Sequence, residues 1–338
     1  MTSPVSRCRL LAVICLGLLK LSAQTPFQFP TANHALYEVG NESKFFAPTA
    51  PDKPWTSGSF GCVRSDGWQM HEGLDILHLH TDRSGEPTDP VMATADGTVM
   101  YVNTKAGLSN YGQYIVICHV IEGIEIYSLY AHLSAANVMA GQAVRAGQVI
   151  ATMGRTSNTS ERIGKERAHV HFELNVFVND NFSAWFKKNL PGEHNDHGIW
   201  NGQNLDGLDP REVLLDEHNP VKKFSLLNFL RSQTELCRVL VRATNFSYLK
   251  RYAPLILKNP KTDKEGIAGY EIALNYNAVP FALMPRAASE IKGAGKIQLL
   301  AVNAAEYRAH PCRRLVIQHG SQWQLTDKGI RELQMLTY

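Results

Sequence analysis

Three short segments of this 338-residue chain carry side chains that can hold a metal ion. The first is His71-Glu72-Gly73-Leu74-Asp75, in which a four-residue spacing places His71 and Asp75 on one face of a strand. An imidazole nitrogen and a carboxylate oxygen are both good Zn²⁺ ligands. The fifth position is Asp, which excludes the HExxH zinc helix and makes Glu72 a poor candidate for a general base. Taken alone, such a pair is more typical of a surface loop.

The second segment, Ala168-His169-Val170-His171-Phe172-Glu173-Leu174, alternates small or apolar residues with polar ones, as a half-buried strand does. Its two histidines therefore project from one face, while the other face packs into a core. The third segment is Tyr130-Ala131-His132-Leu133, where His132 by itself is interpreted as a histidine at the edge of the core. Together the segments supply three possible ligands and two further histidines, which suits a catalytic zinc with three protein ligands and a water. The additional imidazoles can take a proton from that water and stabilise the oxyanion that forms.

The order of these motifs and their amino-acid residues resemble those of the lysostaphin/LytM-type zinc metallopeptidases, which form peptidase family M23. The resemblance covers roughly residues 58–215, and the motifs occur in the family's order. The matching segments are Phe60-Gly61, Arg64, His71 to Asp75, Val91, Ala93 to Val99, Tyr130 to Leu133, Gly141 to Ile150, Gly154 and His169 to Leu174.

This resemblance implies a mostly β protein whose catalytic domain is a compact antiparallel β-sandwich or barrel-like fold of the duplicated-hybrid-motif type. It also implies hydrolysis of peptide bonds in bacterial cell-wall peptidoglycan, with one Zn²⁺ per chain. By this match His71, Asp75 and His171 hold the zinc, whereas His132 and His169 form the catalytic pair. His169 is the better candidate for the general base, and His132 for the group that stabilises the oxyanion. All five residues are present, whereas some family members have lost ligands and only activate other enzymes.

Two segments depart from the family pattern. The stretch Arg155 to Arg167 is longer and more charged than the usual short Gly/Ser loop. An insertion at residues 179–206 is polar and aromatic, and we expect that it could rim the groove and alter the choice of substrate. Both segments bear on which bond is cleaved rather than on the chemistry.

The hydrophobic pattern between residues 57 and 216 is typical of a β-rich domain. Short β-type runs broken by Gly, Asn and Asp predict strands at residues 97–102, 114–117, 123–130 and 169–177. This spacing favours an antiparallel sandwich or barrel over βαβ units. Asp209 followed by Pro210 predicts the start of a short final helix.

Residues 217–338 are predicted to form a smaller α+β domain for which no family is recognised. Helical spacing is found at residues 224–231, and a helix capped by Thr326-Asp327 is expected to reach Leu336. Strands are predicted at residues 239–241, 270–274, 297–302 and 315–318. Residues 24–56, rich in Pro, Asn, Ser and Thr, are interpreted as an N-terminal extension that acts as a tether.

The net charge of +3 conceals a strong asymmetry along the chain. Residues 24–216 hold 13 Lys/Arg against 22 Asp/Glu, a charge of −9, whereas residues 217–338 hold 18 against 9, a charge of +9. One hypothesis is that the basic domain docks on anionic wall polymers; the other is that it packs against the acidic half and partly covers the groove. The first is favoured. Nucleic acid is not an expected partner, because the basic residues form no recognised motif.

Residues 1–23 have the pattern of an export signal. Arg7 and Arg9 supply the positive start, and Leu10 to Leu19 carries no charge. That run is too short to cross a bilayer, which takes about 20 apolar residues, so no transmembrane segment is expected. The mature protein is predicted to be exported, and to be periplasmic or extracellular.

Cysteine usage fits an oxidising compartment. Four cysteines remain after removal of the signal: Cys62 and Cys118 in the acidic half, and Cys237 and Cys312 in the basic half. One bridge in each domain is expected, although four cysteines allow three pairings and the sequence does not choose among them.

Other functions fit the sequence less well. A metal-free module that activates an amidase would show eroded ligands, and none is eroded. A lipoyl- or biotinyl-type carrier would need a modified lysine in a tight hairpin, whereas Lys105 lies in a predicted loop. A secreted peptidase that acts on Gly-rich proteins remains an alternative.

Overall fold

The computed structural model describes residues 26–159, 162–219, 221 and 223–338, so the predicted export signal and part of the predicted domain boundary lie outside the described residues. Its strands are β1 (Gly61–Arg64), β2 (Gln69–His71), β3 (Leu74–Leu77), β4 (Pro90–Met92), β5 (Gly97–Asn103), β6 (Gln113–Ile121), β7 (Ile124–Leu133), β8 (Ala135–Ala136), β9 (Ala143–Val144), β10 (Val149–Thr152), β11 (His169–Phe177), β12 (Leu205–Leu208), β13 (Cys237–Val241), β14 (Gly269–Leu274), β15 (Pro280–Arg286), β16 (Ile297–Val302), β17 (Val316–His319) and β18 (Gln322–Leu325). Its α-helices are α1 (Glu42–Phe45), α2 (Phe182–Asn189), α3 (Pro210–Glu217), α4 (Leu226–Arg231), α5 (Ser247–Arg251), α6 (Pro260–Glu265), α7 (Ala304–Ala309) and α8 (Asp327–Leu336). None of the helices in these described ranges is long and apolar enough to cross a membrane.

A large antiparallel sheet forms the centre of the N-terminal part. Its strand order is β12-β11-β7-β6-β5-β9, and a separate three-stranded sheet has the order β4-β10-β8. Strand β3 also pairs with β11, through residues 169–172, and β12 pairs with the same strand through residues 174–177. Because β7 occupies the opposite edge of β11, β3 and β12 follow one another along the same edge. The mostly β, antiparallel architecture and the four strands predicted there are confirmed.

Strand β11 shows why the alternating pattern matters. Val170, Phe172 and Leu174 belong to the main hydrophobic core, as the period of two requires. The opposite, polar face is also buried, with His171 5% and Glu173 1% exposed. The expectation of a half-buried strand is therefore wrong, because side chains from β2, β3 and the β5–β6 connection cover its polar face.

The N-terminal extension is not a tether. Four aromatic residues anchor it in the main core, namely Phe27, Phe29, Phe45 and Phe46. Phe46 forms a bridge with Ile76, and the Ala47 amide donates to the Asp75 carbonyl over 2.8 Å. The extension lacks a hydrophobic period because scattered aromatic side chains hold it, and helix α1, which carries Phe45, has only four residues. It therefore helps to position β3, on which Asp75 lies.

The C-terminal part has the predicted α+β composition. A four-stranded antiparallel sheet has the order β15-β14-β13-β16, and β17 and β18 form a hairpin beside it. The strands predicted at 239–241, 270–274, 297–302 and 315–318, and the helix capped by Thr326, are confirmed. Strand β15 was not predicted, and neither were helices α5, α6 and α7, each of which has only five or six residues.

The two parts share one hydrophobic core, which extends from Phe27 to Leu336. The Phe177 amide donates to the Tyr252 hydroxyl over 2.7 Å, and Asn277 Nδ2 donates to the Gly207 carbonyl over 2.7 Å. Residues 217–338 are thus packed against the acidic part rather than held apart from it.

The disulfide joins the two parts. Cys62 on β1 is bonded to Cys312, 250 residues further along, while Cys118 and Cys237 are free. The expectation of one bridge in each domain is therefore wrong. The reason is tertiary: packing of the C-terminal part brings the segment before β17 against β1.

Candidate metal centre

Three potential ligands converge from neighbouring strands. His71 ends β2, Asp75 lies on β3, and His171 lies on β11 directly opposite Asp75 in the strand register. Gly73 allows this approach, since a Cβ there would lie 2.4 Å from the Phe172 carbonyl oxygen. Within the described part of the chain, these three residues form the one group of ligands able to hold a metal ion.

The distances between the ligand atoms suit a small cation. His71 Nε2 lies 3.1 Å from Asp75 Oδ1 and 3.0 Å from His171 Nδ1, and the last two atoms are 2.9 Å apart. A tetrahedral zinc with bonds of about 2.0–2.2 Å separates its ligand atoms by roughly 3.3 Å, so only a small adjustment is needed. Two imidazole nitrogens and one carboxylate oxygen are also the donor types of catalytic zinc sites. The residues therefore fit the ion.

Each ligand is oriented by a contact on its far side. His71 Nδ1 donates to the Ser59 carbonyl over 2.7 Å, which leaves the Nε2 lone pair free. Arg64 Nη2 donates to Asp75 Oδ2 over 2.6 Å, which leaves Oδ1 directed at the two imidazoles. His171 Nε2 donates to Glu173 Oε1 over 2.8 Å, which leaves its Nδ1 lone pair free. Contacts of this kind fix the tautomer and the ring orientation of a metal ligand.

Glu173 is itself held by two donors. The Tyr111 hydroxyl donates to Oε1, and Asn175 Nδ2 donates to Oε2, each over 2.8 Å. The sequence alone predicted no role for Glu173, Tyr111 or Arg64. The contact of Glu173 could have been predicted, because the alternating pattern of residues 168–174 places Glu173 on the same face of the strand as His171. Tyr111 lies 62 residues before Glu173, and no local pattern links them.

The two other histidines flank this cluster. His169 Nδ1 donates to the Arg167 carbonyl over 2.6 Å, and His132 Nδ1 donates to the Thr156 carbonyl over 2.8 Å. Each Nε2 therefore remains available, and that of His169 lies 3.4 Å from Asp75 Oδ1. The ring centroids of His132 and His169 are 4.9 Å apart. All five residues named from the sequence thus lie together.

Burial lowers the pKa of both flanking histidines, and for His132 the proximity of His169 lowers it further. Both imidazoles are consequently neutral at neutral pH. His132 adopts the left-handed conformation with φ of 61° at the end of β7. Gly154 passes beside it, where a Cβ would be 2.7 Å from the His132 carbonyl oxygen. This close packing fixes the position of the His132 ring.

A groove of about 870 Å³ opens on the cluster, with Arg64, His132 and His171 in its lining. The insertion at residues 179–206 forms part of the rim, as expected, through Trp185, Leu190, Glu193, His194, Asp196, His197 and neighbouring residues. The C-terminal part contributes Asn277, Arg313, Lys328, Arg331, Glu332 and Met335. This arrangement corresponds to the second charge hypothesis, in which the basic part covers one side of the groove.

Residues 69–183 match the model of peptidase family M23. The chain is 36% identical over 112 residues to "DD-carboxypeptidase/endopeptidase Mpg" of Neisseria meningitidis serogroup B (strain MC58), covering 32% of this chain and 23% of that protein. It is 39% identical over 104 residues to "Murein hydrolase activator NlpD" of Escherichia coli (strain K12), covering 31% of this chain and 22% of that protein. The chain thus spans less than a quarter of the length of either relative.

Among solved structures, the lysostaphin catalytic domain of Staphylococcus simulans is 21% identical with a TM-score of 0.29, covering 47% of this chain and 89% of that one. Residues 69–183, the segment that matches the model of peptidase family M23, contain the intact His71, Asp75 and His171 cluster.

Proposed function

We propose that the protein is a secreted zinc metalloendopeptidase that hydrolyses peptide bonds in bacterial cell-wall peptidoglycan. The observation that carries this proposal is the convergence of three oriented ligand atoms with two imidazoles whose Nε2 atoms are free. When bound, zinc would supply a Lewis acid that lowers the pKa of a coordinated water to about 7 and polarises the scissile carbonyl.

The residues of the chain would bind the metal, transfer the proton and stabilise the oxyanion. His71, Asp75 and His171 would hold the ion. His169 Nε2 would accept a proton from the attacking water and later return it to the leaving amine. His132 already carries its one proton on Nδ1, which donates to Thr156, so the negative charge of the oxyanion would favour uptake of a second proton from solvent at Nε2, and the resulting imidazolium would stabilise that charge.

A second candidate function is activation of another wall hydrolase, because one matched relative is named a murein hydrolase activator. An activator needs no metal cluster or proton acceptor, so the intact set of five residues favours catalysis. A secreted peptidase for Gly-rich proteins would use the same five residues and differ only in its substrate.

Export is part of the proposal. It is supported by the signal-like residues 1–23 and by the Cys62–Cys312 bridge, since disulfides persist in oxidising compartments. Docking of the basic part on anionic wall polymers is retained as a proposal, which predicts polymer binding that weakens as salt rises.

The test is digestion of purified peptidoglycan by the full mature chain, with and without a chelator, followed by mass analysis of the released peptides. We expect new peptide ends that disappear with the chelator and return with added zinc. Chelator-insensitive stimulation of a purified amidase, without new peptide ends, would show the activator function instead. Cleavage of a Gly-rich protein but not of wall would contradict the proposed substrate.

A further inference from the structure

Helix α8 presents two cations to the groove. Lys328 and Arg331 are three residues apart, so they lie on one face of the helix. Both are exposed, and both line the groove together with His132 and His171. Within the part of the chain that the structure describes, neither side chain has an ion pair or a hydrogen bond.

Arg313 is the third basic residue that the C-terminal part contributes to the groove lining, and it forms ion pairs. Arg313 Nη2 lies 3.3 Å from Asp206 and 3.4 Å from Glu332. Although the Lys328 residue is exposed, partial desolvation of its ammonium group lowers its pKa, and the positive charge of the nearby Arg313 lowers it further. A bound anion would relieve the repulsion between these two positive charges.

The groove lining also carries five acids, namely Glu72, Glu193, Asp196, Asp206 and Glu332. Asp206 and Glu332 are engaged by Arg313, and burial raises the pKa of Asp206 to about 7. Glu332, Glu72 and Asp206 oppose the lowering of the Lys328 pKa without cancelling it. Among the described residues, none of the five acids forms an ion pair with Lys328 or Arg331.

Two buried polar atoms that belong to residues of the groove lining also lack a hydrogen-bond partner. Asn277 is 1% exposed; its Nδ2 donates to Gly207, but its Oδ1 accepts nothing. Arg313 Nε is likewise buried without a partner. Buried polar atoms are usually satisfied, so unpaired ones beside a groove indicate where ligand or water atoms complete the network.

We propose that Lys328 and Arg331 bind a carboxylate of the substrate, so that the C-terminal part forms a recognition wall for anionic peptides. Arg331 can hold both oxygens of a carboxylate in its planar fork, and Lys328 adds a point charge one helical turn away. This inference rests on the proposed function, and it adds the chemical class of peptide that the groove selects.

The test compares one substrate in two charge states. Soluble peptides released from purified peptidoglycan are used with their carboxylates free or converted to carboxamides. The variant is Lys328→Glu with Arg331→Glu, and the matched control is Lys264→Glu with Arg308→Glu. The control changes the net charge equally at exposed positions that do not line the groove.

For the free-carboxylate peptide, we expect kcat/KM of the groove variant to fall by about tenfold or more, mainly through KM. For the carboxamide peptide, kcat/KM of the groove variant should change by less than about twofold. The control variant should have the kcat/KM of wild type on both peptides. Melting temperature and zinc content should be unchanged in both variants. Equal losses on the two peptides, no loss on either, or faster cleavage of both would overturn the inference; the last result would mean that the wall obstructs the groove.

Binding separates this inference from the proposed function. Calorimetric titration of the same two peptides into zinc-depleted protein measures recognition without turnover. Preferential binding of the carboxylate form that the groove variant loses supports the recognition wall, even if the zinc-loaded protein cleaves nothing and the proposed function fails. Cleavage without preferential binding of the carboxylate form supports the proposed function and contradicts the inference that Lys328 and Arg331 bind a carboxylate of the substrate.

Discussion

Removing the Cys62–Cys312 bridge should destabilise the whole protein. The double variant Cys62→Ser, Cys312→Ser opens a loop that spans 250 residues. In the chain-entropy description, closing a loop of that length stabilises the folded state by about 5 kcal/mol at 25 °C. With an unfolding entropy of roughly 2 cal/mol/K per residue, the melting temperature should fall by about 8 °C.

The bridge should also affect the groove. Cys62 lies two residues before Arg64, and Cys312 directly precedes Arg313, and both arginines line the groove. The metal ligands are held by strand pairings that do not require the bridge, since Asp75 and His171 lie opposite one another on β3 and β11 and His71 is paired with Gly61 of β1. We therefore expect the double variant to keep its zinc and to show a raised KM for soluble peptide.

Urea unfolding and thermal melting, each with and without reductant, measure these effects. Reductant should lower the stability of wild type and of the control Cys118→Ser, and should leave the double variant unchanged. Peptide mass mapping verifies the bridge in the starting material. A loss below about 1 kcal/mol in verified material would refute the reasoning, because the shared core would then hold the C-terminal part by itself.

Four further outcomes are expected. Asp75→Ala should bind well below one zinc per chain and be inactive; a full complement of metal in that variant would disprove the ligand assignment. His169→Ala and His132→Ala should retain zinc, and the former should lose roughly 10²–10⁴-fold in kcat, as removal of a general base does; loss of zinc would mean that a ligand was mistaken for a catalytic residue. Glu173→Gln should weaken zinc binding by roughly 10–100-fold in a competition assay with a chelator, because it orients His171; unchanged affinity would contradict that role. Burial lowers the pKa of His119 to about 4, so the unfolded state takes up a proton first as the pH falls; in urea unfolding, wild type should therefore lose about 2 kcal/mol more than His119→Gln between pH 7 and pH 5, and equal losses in the two proteins would contradict this.

The sequence by itself determined the chemistry of the centre. The prediction that His71 and Asp75 lie on one face of a single strand is wrong, because they lie on two strands, β2 and β3. Alternation and strand spacing within residues 168–174 correctly placed His169 and His171 on one face of β11. These are local patterns with periods that the backbone imposes, so they can be read without any knowledge of packing. The family resemblance then implied which of the five residues are ligands.

Tertiary structure decided which distant segments meet. The Cys62–Cys312 pairing and the contact between Tyr111 and Glu173 join residues that are 250 and 62 positions apart. No local period encodes such contacts, because they depend on how whole sheets pack. The aromatic anchors of the N-terminal extension escaped prediction for the same reason, because they are scattered along the segment without a regular period.

The position of the basic part beside the groove was likewise decided by packing. Composition established that it carries +9. It did not establish that Lys328 and Arg331 line the same groove as His132 and His171, which follows from the shared core and the position of α8. Net charge is a sum over a surface, whereas recognition depends on where individual charges lie, and only the folded chain fixes those positions.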